Sequence, residues 1–193
     1  MADYKQALIE AMTAGGIADA DERAMIAAIA GGESGFVPHT ETGYAHTPNV
    51  RIRQVFGSRV PVDDAALDAL KANDEAFFDA VYGGAWGAQH LGNTQPGDGY
   101  RYRGRSFLQL TGRANYERYG RLSGVGLIDN PELANDPEAG AKICVAYIKD
   151  RYKGGGFAQM MACVGFNTPD IAATKERLYA QFKESGEFDV AAA

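Results

Sequence analysis

The stretch from Tyr100 to Tyr116, YRYRGRSFLQLTGRANY, sets tyrosines, a phenylalanine and a glutamine among four arginines around one threonine, Thr111. Two carboxyls upstream could work with such a surface, Glu33 in GGESGF and Glu41 in HTETGY. Aromatic faces and forked cationic donors hold sugar rings, and on that ground Tyr102 and Arg103 are read as substrate-binding. A carboxyl pair supplies the chemistry. One protonates the glycosidic oxygen, and the other activates water or steadies a cationic transition state. The combination predicts a polysaccharide-cleaving site with Glu33, Glu41 and Thr111 as its catalytic residues.

Each of the three carries a competing reading. Glu33 falls seven residues after Ile26, on the stripe of Ile29 and Ala30, so helical continuation turns it toward the apolar side. It also lies at the C-terminal end of that helix, and both placements disfavour a negative charge, as a general acid requires. Alternatively, it caps backbone amides or pairs with an arginine. Glu41, in a polar loop, is expected to stay ionised and act as base or electrostatic partner; otherwise it is a solvated loop acid. Asp98 and Glu117 are rival second carboxyls, Asp98 being first a stabiliser of the Gly-Asp-Gly turn. Thr111 is either an N-cap or the holder of the attacking water.

The elements that must position these residues read as helices. Periodicity and caps predict helices over 3–13, from the Asp19/Glu22 capping box to about Ala30, over 63–71 and 74–82, from Thr111 to about Leu122, over 137–151 and 157–164, and from Pro169 to about Lys183 behind Thr168. Gly31-Gly32 is expected to loosen the chain, 83–106 to form a glycine-rich loop, and the last residues to fray. Strand signals are thin: a brief extension over Ser106–Leu110 and a small hairpin within 42–54. The fold class is therefore mainly α, two-lobed, with a glycan cleft and little or no β-sheet. A larger lobe is expected over 1–36 and 97–193, and a smaller inserted one over 37–96.

With 193 residues, 46% hydrophobic and 23% charged, the chain suits one well-buried domain. A net charge of −6 speaks against general nucleic-acid binding. Six arginines against one acid, Glu117, between Arg101 and Arg121 give a local balance of +5, a strip suited to an anionic or hydroxyl-rich ligand. No apolar run is long enough for stable membrane insertion, and the N-terminus does not read as a secretory signal. Cys144 and Cys163 read as buried thiols, their pairing left open. A zinc site from His39, His46 and His90 fits no standard ligand spacing.

GRSFLQLTGRANY at 104–116 resembles the signature of the family 19 glycoside hydrolases, whose plant members are chitinases. With GGESGF at 31–36, ETGY at 41–44, YGG at 82–84 and GDGYRYRGR at 97–105 in order, the fuller resemblance is to the phage and prophage endolysins of that family. It covers about residues 22–122 well. The resemblance implies a lysozyme-like fold without metal or cofactor, Glu33 as general acid, Glu41 as second carboxyl and Thr111 positioning water. Tyr44, Gln109 and Asn115 would line the glycan site. Asn167 would too, although the chain reads ACVGFNT at 162–168 where such endolysins carry an Asn-Gly-Gly-type segment. The expected function is hydrolysis of peptidoglycan glycan strands by a monomer held in a host cytoplasm until release to the periplasm. A chitinase and a non-catalytic glycan-binding module are the alternatives.

Overall fold

The computed structural model describes residues 3–165 and 167–189; Phe166 and the C-terminal 190–193, where fraying is expected, lie outside the described residues. Among the described residues the fold is mainly helical and has no strand. The helices are α1 (Tyr4–Ala14), α2 (Ala20–Ser34), α3 (Asn49–Phe56), α4 (Asp64–Lys71), α5 (Asp74–Tyr82), α6 (Gly84–Leu91), α7 (Asp98–Arg101), α8 (Arg113–Ser123), α9 (Pro137–Arg151), α10 (Phe157–Cys163) and α11 (Pro169–Ser185). None is long and apolar enough to cross a membrane. The chain divides into two compact units, one of residues 1–39, 105–108 and 119–193, the other of 40–104 and 109–118. Residues 97–104 and 109–118, grouped with the larger lobe from the sequence, thus belong to the second unit.

The first unit is built on α2. Asp19 caps it by accepting the Glu22 amide at 2.7 Å. From Arg23 to Ala30 every residue is buried, so this helix is covered on all sides rather than along one stripe. Leu8, Met12, Cys144, Ile148, Met160 and Phe182 complete the core around it. The helix does not stop at Gly31-Gly32 but runs to Ser34, and Gly35, at φ +61°, ends it. The glycines serve packing instead: a Cβ on Gly31 would sit 2.8 Å from the Phe36 ring, and one on Gly32 would strike the stem of Lys175 on α11. Their smallness is what lets α11 lie against α2. Arg23, fully buried, donates to the carbonyls of Ile9, Ile17 and Phe188. Its guanidinium closes backbone groups that water cannot reach.

The second unit holds α3 to α7 and the first half of α8 around Ile52, Phe56, Val60, Leu67, Phe77, Phe78 and Val81. The hairpin expected within 42–54 is instead α3, because Ile52 and Phe56 are four residues apart and both buried, a helical spacing. The loop expected over 83–106 contains α6 and α7. Gly87 lowers helix propensity in α6, but a side chain there would run into the Tyr82 carbonyl, so packing on the end of α5 outweighs propensity. The extension expected at Ser106–Leu110 is a series of turns over 106–109 followed by a single bridge residue, Leu110, with Ser106 and Gln109 at φ +74° and +51°.

Candidate active site

Glu41 is the more elaborately held of the two carboxyls. Its Oε1 accepts the Tyr44 hydroxyl at 2.7 Å and the Tyr82 hydroxyl at 3.0 Å, and its Oε2 accepts the Gly104 amide at 3.2 Å. The Glu41 amide in turn donates to the Gly104 carbonyl at 2.7 Å, fixing the backbone. Glu41 is half-buried, not a solvated loop acid. Burial pushes both phenols far above their ordinary range, and the neighbouring Glu41 charge adds to the effect. They therefore remain hydrogen-bond donors. Tyr82, at the end of α5 and 41 residues from Glu41, was not among the sequence-predicted site residues, although YGG at 82–84 marks the place.

Gly104 explains why the motif segment can approach Glu41 so closely. A Cβ there would lie 2.6 Å from Gln109 Oε1 and 3.2 Å from Glu41 Oε2. Gly104→Ala is accordingly expected to displace the Glu41 and Gln109 side chains and to destabilise the chain by about 1–3 kcal/mol, the usual cost of overpacking. Thermal unfolding monitored by circular dichroism checks this, and an unchanged midpoint would contradict the close approach.

Thr111 does not cap α8. The Gly112 carbonyl accepts the first helical amides, from Asn115 and Tyr116 at 3.0 Å each, and the Thr111 hydroxyl donates to the Gln109 carbonyl at 3.0 Å. Asn115 Nδ2 donates to the Thr111 carbonyl at 2.8 Å. Tyr44 is split in function: its ring packs on Phe56, Phe77 and Phe78 while its hydroxyl serves Glu41. Tyr102 is only 1% exposed, its ring 5.2 Å from that of Tyr116. Read as a sugar-stacking face, it is instead an internal support. Arg103 stacks 3.9 Å over the Tyr100 ring and donates to its carbonyl at 2.7 Å.

Part of the basic strip is likewise engaged internally, whereas Arg101, Arg118 and Arg121 are exposed. Arg105, 1% exposed, pairs with Glu132 at 2.8 Å, and Arg113 makes a two-point pair with Asp98. Asp98 also accepts the Gln95 amide at 2.9 Å. This rival carboxyl is therefore committed to holding the 95–113 segment, as its turn role suggests. Burial opposes the charge on Asp98, but the hydrogen bonds from Arg113 and the Gln95 and Thr94 backbone outweigh it and hold the carboxyl below its ordinary range.

Glu33, in the first unit, does not meet the apolar wall expected of it. Its carboxylate pairs with Lys175 Nζ, and Lys175 also donates to Asn167 Oδ1. Lys175 is 0% exposed while the Glu33 side chain keeps 26% of its surface. A buried ammonium with one carboxylate and one amide oxygen is a satisfied cation, and the Glu33 carboxylate remains reachable from outside. The alternative left open by the sequence, pairing with a cation, is thus the one realised, with a lysine in place of an arginine. Asn167 is turned to this cluster, its Nδ2 donating to the Met161 and Gly165 carbonyls at 3.3 and 3.1 Å. Burial, with the Glu33 charge adding to it, pushes the Cys144 thiol up to about 12, so it is inert as a nucleophile. Cys144 and Cys163 are both free.

The residues thus fall into two sets, Glu41 with Tyr44, Tyr82, Gly104 and Gln109 in the second unit, and Glu33 with Asn167 and Lys175 in the first. Among the described residues no three His, Cys, Asp or Glu side chains converge as a metal site would require. No protein-family model matches the chain, and no curated protein matches it.

Proposed function

We propose that this chain is a glycoside hydrolase that cleaves the glycan strand of bacterial peptidoglycan, at the bond between N-acetylmuramic acid and N-acetylglucosamine, as an endolysin does. Glu33 is the proton donor, Glu41 the carboxylate that activates water, and Thr111, Gln109 and Asn115 belong to the water- and sugar-binding set. The observation that carries this reading is the convergence on Glu41. Segments quoted for the resemblance, far apart in the chain, meet at this one carboxylate: Tyr44 of ETGY, Tyr82 of YGG, and Gly104 at the head of the threonine motif. A carboxylate fixed by three donors from separate segments is built for a defined direction of attack.

The test is to incubate the purified chain with peptidoglycan sacculi and, separately, with chitin oligomers, and to analyse the products by mass spectrometry. Muropeptides ending in reducing muramic acid are expected. Turnover of chitin alone would overturn the substrate, and anhydro ends would replace hydrolysis by transglycosylation.

A further inference from the structure

We propose that Tyr44 and Tyr82 are a positioning pair that reserves Oε2 of Glu41 as the oxygen receiving the proton of the attacking water; this rests on the glycan-hydrolase reading. A carboxylate offers about four acceptor positions, two on each oxygen. Both positions of Oε1 are taken, by phenols at 2.7 and 3.0 Å. Oε2 accepts one longer bond, from the Gly104 amide at 3.2 Å, and its second position receives no donor among the described residues. The two oxygens of one side chain are thereby made unequal.

The inequality is built into the core of the second unit. Tyr44 is wedged against Phe56, Phe77 and Phe78, with ring centroids 5.1–6.1 Å apart. Tyr82 stacks on Phe78 at 5.9 Å and meets Phe56 edge-on at 6.1 Å. Neither hydroxyl can swing away without disturbing that cluster, and the carboxylate cannot turn over without breaking three bonds at once. Burial keeps both phenols protonated, so they cannot take the water's proton themselves. Arg59, held by the Val81 carbonyl at 2.7 Å, is a charged group acting on Tyr82, and the Arg103 guanidinium lies 5.8 Å from the Phe78 ring against which both tyrosines pack.

The step balances as follows. Water gives one proton to Glu41 Oε2 while its oxygen bonds to the anomeric carbon. The glycosidic C–O bond breaks, its electron pair staying on the leaving oxygen, which takes the proton of the acid. Nothing is oxidised or reduced.

Tyr44→Phe and Tyr82→Phe keep the rings and remove one donor each. The expected result is a fall in kcat of roughly 10- to 100-fold per variant with KM little changed, the loss of one hydrogen bond to a charged group. The acid limb of the pH–rate profile should move to higher pH, because the ionised carboxylate has lost a donor. A raised KM at unchanged kcat would mean that the hydroxyls touch substrate and would overturn the positioning role. So would an unmoved acid limb. A second readout needs no turnover: carboxyl ¹³C NMR of labelled glutamate, with the Glu41 signal assigned through Glu41→Gln, should show a higher titration midpoint in both variants. A wild-type chain inert on every glycan sinks the hydrolase reading and the catalytic part of this proposal with it. An active chain whose Glu41 midpoint is the same in wild type and variants sinks the positioning pair alone.

Discussion

Glu33→Gln is expected to lower peptidoglycan turnover by about 10²–10⁴-fold, the range for loss of a general acid. Glutamine matches the carboxylate in shape, and its amide oxygen can still accept from Lys175 Nζ, so the local hydrogen bond survives. What disappears is the negative charge and the capacity of the group to take up and give a proton. The buried ammonium of Lys175 then retains two neutral acceptors and no counter-ion, so a loss of stability accompanies the loss of rate. Initial rates measured well below the unfolding temperature of each protein separate the two effects. A variant with wild-type turnover would remove Glu33 from the chemistry and favour a glycan-binding role that needs no acid.

The second large effect is on stability. Asp98 is 2% exposed and meets Arg113 through both oxygens, with the Gln95 amide as a further donor. Asp98→Asn breaks a buried pair by removing one partner, at an expected cost of about 3–5 kcal/mol. The Arg113 side chain keeps 28% exposure, so water recovers part of its solvation and the lower end of that range is expected. The pH dependence follows from the lowered folded-state value of the carboxyl. Its contribution is complete above the unfolded-state value of about 3.9 and is lost as pH falls through the lower folded-state value. The gap between wild type and Asp98→Asn should therefore be full at neutral pH and shrink progressively below about pH 4. Urea denaturation followed by circular dichroism at both pH values measures it; a gap independent of pH would mean that the charge on Asp98 contributes nothing.

Local signals were enough for much of the helical plan. Asp19, Pro137 and Thr168 stand at helix starts because a side-chain acceptor or a fixed φ acts within three residues of itself. Three helices escaped these signals, α3, α6 and the short α7; α3 and α6 have weak propensity and are held by burial of Ile52 and Phe56 and by the close seat of Gly87. Site residues were legible as types but not as partners. Tyr82 and Lys175 lie 41 and 142 residues from the carboxyls they hold, beyond the reach of any periodicity. The apolar stripe through Ile26 and Ile29 pointed Glu33 toward a packed surface, but whether such a surface is greasy or charged depends on the helix laid across it, here α11 with Lys175. Gly31-Gly32, read as a loosening, was the trace of that second helix. The local charge balance was incomplete for a related reason: Glu132 and Asp98, the counter-charges of Arg105 and Arg113, lie outside the window in which the charges were counted.

The pairing of α2 with α11 has a consequence for the order in which a ribosome completes the protein. Lys175 is made 142 residues after Glu33, roughly 7–28 s later at bacterial-to-eukaryotic elongation speeds. Until then Gly32 of the central helix lacks the Lys175 stem for which it leaves room. The second unit, whose segments end at residue 118, has all its parts well before that moment. The Glu41 cradle therefore can assemble early in synthesis, whereas Glu33 acquires its counter-ion only with one of the final helices, and the nascent chain carries one carboxyl in place long before the other.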